Sequence, residues 1–316
     1  MSAVSLAFEK AAADGRAALI GYLPAGFPSV DGAIAAAAAM VRRGADVIEI
    51  GLPYTDPLID GPVIQEAVHR ALTGGVRTAD VLRTVQALAS AGVPVLVMTY
   101  WNPVDRYGVD AFARDLASAG GAGMITPDLN PEEAGPWLSA ADTYGLDPVF
   151  VVAPSSTAER LAKVAAVCRG FVYAASLMGV TGARGAVSGA ASGLVTRVRA
   201  HTGLPVGVGL GVKDGAQAAR VAQFADGVIV GSAFVQCLLD APDAEAGLAA
   251  VGGLAADLAR GVRAGRADTA HRAGSDDTAR TAVGAVGSVA AAGSAGGAVH
   301  NPAARSGDPS SAGDNG

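Results

Sequence analysis

From about residue 18 to residue 240 the chain repeats one pattern. A short apolar run with almost no polar alternation is followed by a longer stretch in which Ala, Leu and Val recur at helical spacing. The apolar runs fall at residues 18–22, 46–50, 95–99, 123–126, 148–152, 171–175, 205–209 and 227–231. Strands of this kind are buried on both faces, and strands that alternate with helices pair in parallel. Helical spacing occupies the intervals, for example at 79–91, 111–119, 158–168 and 216–224. Eight strand–helix units over roughly 230 residues predict a single (β/α)8 TIM barrel rather than an open doubly wound sheet. A helical segment near residues 5–13 precedes the first strand and is expected to cap the barrel floor.

The pattern stops near Gly261. Residues 263–316 are mostly Ala, Gly, Ser, Asp, Thr and Arg, with no Phe, Tyr or Trp and few large aliphatics. Such a segment has little apolar area to offset its ordering entropy, so the expected division is a catalytic barrel at 1–262 and a disordered tail at 263–316.

In this fold chemistry sits at the strand C-termini and the loops after them, and the polar and Gly-rich clusters here fall at those places. The most informative lies between Glu49 and Asp60. Glu49 ends a buried strand, where a charge is costly unless it is used, and Asp60 lies on the following loop just before Gly61-Pro62 opens a helix. Two carboxylates on one connection divide acid and base work when their surroundings push their pKa values apart. Glu49 is expected to be raised and Asp60, more solvated, to stay ionised; the plain structural alternative is an acidic turn and a capping Asp.

Gly209-Leu210-Gly211 after the seventh strand and Gly231-Ser232 after the eighth bring backbone N–H groups and helix starts to the usual phosphate position of a barrel. Glycines at barrel corners also serve backbone needs alone. The loop at 179–185 is glycine-hinged, carries Thr181 and Arg184, and reads as a closing loop or a simple connection.

The net charge of −6 argues against a nucleic-acid footprint. Two cysteines, far apart, form neither a disulfide framework nor a metal motif. The first residues lack a signal-peptide pattern, and no apolar run approaches the roughly 18 residues of a membrane span. A soluble cytoplasmic protein is expected.

The stretch Glu49-Ile50-Gly51-Leu52-Pro53-Tyr54-Thr55-Asp56-Pro57-Leu58-Ile59-Asp60-Gly61-Pro62 resembles the signature of the tryptophan synthase alpha subunit family. Around it, in the family's order, lie Gly21-Tyr22-Leu23-Pro24, Thr99-Tyr100-Trp101-Asn102-Pro103, Thr126-Pro127-Asp128, Tyr173, Gly179-Val180-Thr181-Gly182, Gly211 and Gly231-Ser232. The resemblance covers residues 1 to about 260 and departs at Ile59, Leu177-Met178, Asn130 and Lys213.

It implies aldol cleavage of indole-3-glycerol phosphate to indole and glyceraldehyde 3-phosphate, without a metal or organic cofactor. Glu49 is then the proton shuttle, and Asp60 accepts the indole N–H. Tyr22, Tyr100 and Tyr173 surround the substrate, Thr181 orients Asp60, and Gly182, Gly211, Gly231 and Ser232 hold the phosphate. Asp56 is the implied contact with a tryptophan synthase beta subunit in an α2β2 heterotetramer. Two alternatives remain at this point: a free-standing lyase that releases indole, and a non-catalytic phosphate-binding barrel.

Overall fold

The computed structural model describes the backbone of residues 1–175 and 184–287, with the side chains of residues 1–175 and 189–266. Its first half runs α1 (Ala3–Ala13), β1 (Ala18–Pro24), α2 (Val30–Arg42), β2 (Val47–Gly51), α3 (Pro62–Thr73) and α4 (Thr78–Ala89). Then come β3 (Val95–Met98), α5 (Trp101–Tyr107), α6 (Val109–Ser118), β4 (Gly123–Thr126), α7 (Gly135–Tyr144) and β5 (Asp147–Val152). The second half continues with α8 (Ala158–Val167), β6 (Val172–Ala175), α9 (Arg184–Arg199), β7 (Val206–Gly209) and α10 (Gly215–Ala222). It ends with β8 (Gly227–Val230), α11 (Ser232–Asp240) and α12 (Ala244–Gly287). All eight strands pair in parallel and β8 closes on β1, so the sheet is the expected barrel.

Local chemistry marks several helix starts. Ser2, Ser29, Thr157 and Asp214 each accept the N–H three residues on, and Pro62 opens α3 where its missing N–H costs nothing.

The two-residue period of the strands sorts their side chains into two shells. Ile48 and Ile50 point outward into the main core against the helices, whereas Val47 points inward. With Ala18, Ile20, Leu96, Ile125, Val149, Phe171 and Ile229 it fills the barrel's lower interior, which Val4, Phe8 and Ala11 of α1 close from below. The floor-capping expectation for the first helix is met.

The chain divides into a unit Met1–His271 and a second, Arg272–Gly316. The compositional boundary at 262/263 cuts through α12. Val262 is buried, and Arg266 Nη2 donates to Asp226 Oδ1 at 2.8 Å and to the carbonyl of Ala225 at 3.2 Å. The backbone of α12 is helical to Gly287, and residues 288–316 of the expected tail lie outside the described residues. No helix among the described residues is long and apolar enough to cross a membrane.

Candidate active site

The inward positions above the apolar floor carry the polar groups. On β2 the step from Val47 to Glu49 keeps the side chain inside and raises it to the C-terminal mouth. The same step leads from Ile20 to Tyr22 on β1 and from Phe171 to Tyr173 on β6, and Tyr22 pairs in register with Glu49.

Glu49 is 0% exposed, and neither carboxyl oxygen has a hydrogen-bond partner among the described residues. Burial alone raises its pKa from 4.5 to about 8. A carboxyl in this state is neutral at pH 7 and one small step from ionising, which is the condition for giving and taking a proton there. Burial holds Tyr22 and Tyr173 well above the ordinary phenol range, with Glu49 and Asp60 adding to both shifts.

Asp60 is the more solvated of the two, half-buried where Glu49 is wholly enclosed; burial raises its pKa, and a hydrogen bond from Tyr100 opposes that rise. The loop after β2 is tied to Tyr100, just past the end of β3, and Asp60 is half-buried there.

Tyr100 organises that loop. Its hydroxyl accepts the N–H of Leu58 at 3.0 Å and of Ile59 at 3.1 Å, leaving its own hydrogen for the Asp60 carboxylate. Its ring lies 5.4 Å from that of Tyr54, and Asn102 Nδ2 donates to the Tyr54 hydroxyl at 3.1 Å. Asp128 accepts the Trp101 N–H on both oxygens at the start of α5. The sequence placed Tyr100 beside the substrate; the structure makes it the latch of the Asp60 loop. Tyr54 and Asn102 had no assigned role, because only their meeting across two loops reveals one.

Asp56 is exposed on the same loop and accepts from Thr55 Oγ1 at 2.5 Å. Beside it, Leu58 is 74% exposed and Ile59 48%, an unusual display of two large aliphatics.

At the phosphate side, Gly211 has φ +67°, a left-handed turn that favours glycine. A Cβ on Gly231 would come within 3.0 Å of the Tyr22 ring, and one on Gly51 within 2.3 Å of its hydroxyl. Both glycines thus make room for Tyr22, a reason the sequence did not disclose. No side chain caps the start of α11, where Ser232 stands. Thr181 and Gly182 lie outside the described residues.

A cleft of about 450 Å³ lined by Trp101, Asn102, Asp105, Asp128, Leu129 and Glu133 opens beside α5. Neither Glu49 nor Asp60 lines it, so it is not the seat of the carboxylate chemistry.

The profile of the family described as tryptophan synthase alpha chain matches residues 8–261. The tryptophan synthase alpha chain of Salinispora arenicola is 64% identical over 263 residues, 83% of this chain and 98% of that one. That of Streptomyces coelicolor is 63% identical over 254 residues, 80% of this chain and 94% of its own. Among solved structures, a ligand-free tryptophan synthase from M. tuberculosis superposes with a TM-score of 0.77 at 54% identity, covering 83% of this chain and all of that one (100%). Tryptophan synthase subunit alpha from Legionella pneumophila superposes at 0.76 with 34% identity, covering 83% and 98%.

Proposed function

This chain belongs to the tryptophan synthase alpha chain family, and from that premise we propose how its residues divide the work of the reaction. The reaction is the aldol cleavage of indole-3-glycerol phosphate to indole and glyceraldehyde 3-phosphate, a lyase step of L-tryptophan biosynthesis. The observation that carries the assignment is Glu49: wholly buried, without a protein hydrogen-bond partner for either oxygen among the described residues, and raised to about 8.

Neutral Glu49 gives a proton to C3 of the indole ring. The resulting ring cation is stabilised by Asp60, which accepts the indole N–H. The hydroxyl on the carbon attached to C3 then yields its proton to the Glu49 carboxylate as the C–C bond breaks. Its oxygen becomes the aldehyde of glyceraldehyde 3-phosphate, the bonding electrons return to the ring, and Glu49 ends protonated as it began. Tyr22 and Tyr173 stay neutral phenols and shape the indole space. Tyr100 holds Asp60 in place, and the backbone of Gly211, Gly231 and Ser232, with the Ser232 hydroxyl, takes the phosphate. Thr181 and Gly182 complete these sets by resemblance.

The beta subunit is the partner, and its proposed stoichiometry is α2β2. The exposed Asp56, Leu58 and Ile59 support the placement of that contact on the loop after β2. A cytoplasmic location is consistent with two free cysteines.

Glu49→Gln tests the assignment, since the amide keeps size and shape but moves no proton. Indole release is expected to fall by at least about 100-fold with glycerol 3-phosphate binding unchanged. A variant within tenfold of the parent would remove Glu49 from the role.

A further inference from the structure

α12 lies against α10 in backbone contact. A Cβ on Gly261 would come within 2.1 Å of the carbonyl oxygen of Gly215, and one on Gly265 within 2.0 Å of that of Ala219. Four-residue spacing on both sides, Gly261/Gly265 against Gly215/Ala219, fixes the register of the two helices. Further along, Arg266 is tied to Asp226 and Ala225.

That register brings Asp257 to the start of α10. Its Oδ2 accepts the N–H of Gly215 at 2.6 Å, and its Oδ1 accepts from Arg260 at 3.1 Å. The turn between β7 and α10 is held at two further points: Lys213 N–H donates to Gln217 Oε1 at 3.1 Å, and Gln217 N–H to Asp214 Oδ1 at 2.7 Å. Two carboxylates, Asp214 and Asp257, thereby occupy the positive end of α10. They deny it to any other anion. The start of α11 carries no such side-chain cap. Gly211, at φ +67°, lies four residues before Gly215.

We propose that Asp257 is a positioning residue for phosphate binding. By fixing Gly215 it sets the turn that presents the Gly211 N–H, and with Asp214 it directs the substrate's phosphate away from α10 toward Gly211 and the start of α11. This rests on the phosphate reading given above. Asp257 touches no substrate; it acts through Gly215.

The test uses the full chain with Asp257→Ala, Asp257→Asn and, as a reporter of the phosphate site itself, Ser232→Ala. Glycerol 3-phosphate and indole binding are measured separately by titration, with kcat and KM for indole-3-glycerol phosphate. Asp257→Ala is expected to weaken glycerol 3-phosphate and raise KM about tenfold, with indole binding and kcat within twofold. Asp257→Asn retains an acceptor oxygen and is expected to recover most of the loss. Unchanged glycerol 3-phosphate affinity in Asp257→Ala, while Ser232→Ala weakens it, overturns the proposal and leaves the phosphate site standing. If neither variant weakens it, the phosphate reading falls and the proposal with it. Equal loss of indole and glycerol 3-phosphate binding, or an Asn variant as poor as Ala, also overturns it, because the defect is then general or does not pass through the Gly215 hydrogen bond.

Discussion

Among single residues, Glu49 is held neutral by its burial. Its folded pKa, about 8, lies above its unfolded value of 4.5 because burial penalises the charged form. The sign follows by linkage: the folded state holds the proton more tightly, so the stability tied to it is complete below pH 4.5 and is lost as pH rises through about 8. Glu49→Gln carries no such charge. Its stability relative to the parent is therefore expected to climb between pH 4.5 and about pH 8, at about 1.4 kcal/mol per pH unit inside that window, and to level off above it. Thermal melts of both proteins across that range check it. A constant difference would mean that the carboxyl is not desolvated. In the proposed role of Glu49, kcat/KM is expected to fall with rising pH above about 8, as the acid form disappears from the free enzyme, and a pH–rate profile checks it.

Among the elements, the loop after β2 is decided by one hydroxyl. Tyr100 accepts two consecutive N–H groups and turns its own hydrogen to Asp60, so the backbone and the carboxylate proposed to bind the indole N–H are fixed together. Tyr100→Phe keeps the ring beside Tyr54 but removes all three interactions. Hydrogen exchange at Leu58 and Ile59 is expected to accelerate about tenfold or more, at about 1 kcal/mol per lost hydrogen bond. Lyase kcat/KM should fall by about 10- to 100-fold. The melting temperature should hardly move, because the affected loop is exposed at Leu58 and Ile59 and contributes little to the core. Unchanged exchange would show that Tyr54 and Asn102 suffice to hold the loop.

For the whole molecule the question is where the barrel ends. A chain stopped at Arg266 retains the Gly261 and Gly265 contacts with α10 and the pair to Asp226. What it loses is poor in large apolar side chains. Its melting temperature is expected within about 2 °C of the full chain. A chain stopped at Val262 loses Gly265 and Arg266 and is expected to melt about 3–6 °C lower, at about 1–2 kcal/mol of lost packing and ion pairing. Equal melting of the two would place the boundary where composition put it.

How much of this was legible in the sequence depends on the range of the interaction. All eight strands lie within two residues of the apolar runs at 18–22 through 227–231, because a strand buried on both faces writes its burial into consecutive side chains. Glu49 stood out for the same local reason, as a charge at the end of such a run. The family was legible too, because the motif from Glu49 to Pro62 is contiguous. The sequence did not disclose that Asp60 is half-buried, that Tyr100 latches two amides 41 and 42 residues away, that Gly231 clears space for Tyr22, or that Asp257 caps a helix 42 residues earlier. Each depends on which distant segments meet, and closing the barrel decides that. Burial of Asp60 is a property of the loop's path, not of its composition. Gly261 and Gly265 look like weak helix residues in one dimension and become contact points only when a second backbone lies against them. Local periodicity and motif determined the barrel and the family; the tertiary structure alone decided how each candidate residue is held, because holding is done by partners that the chain brings from far away.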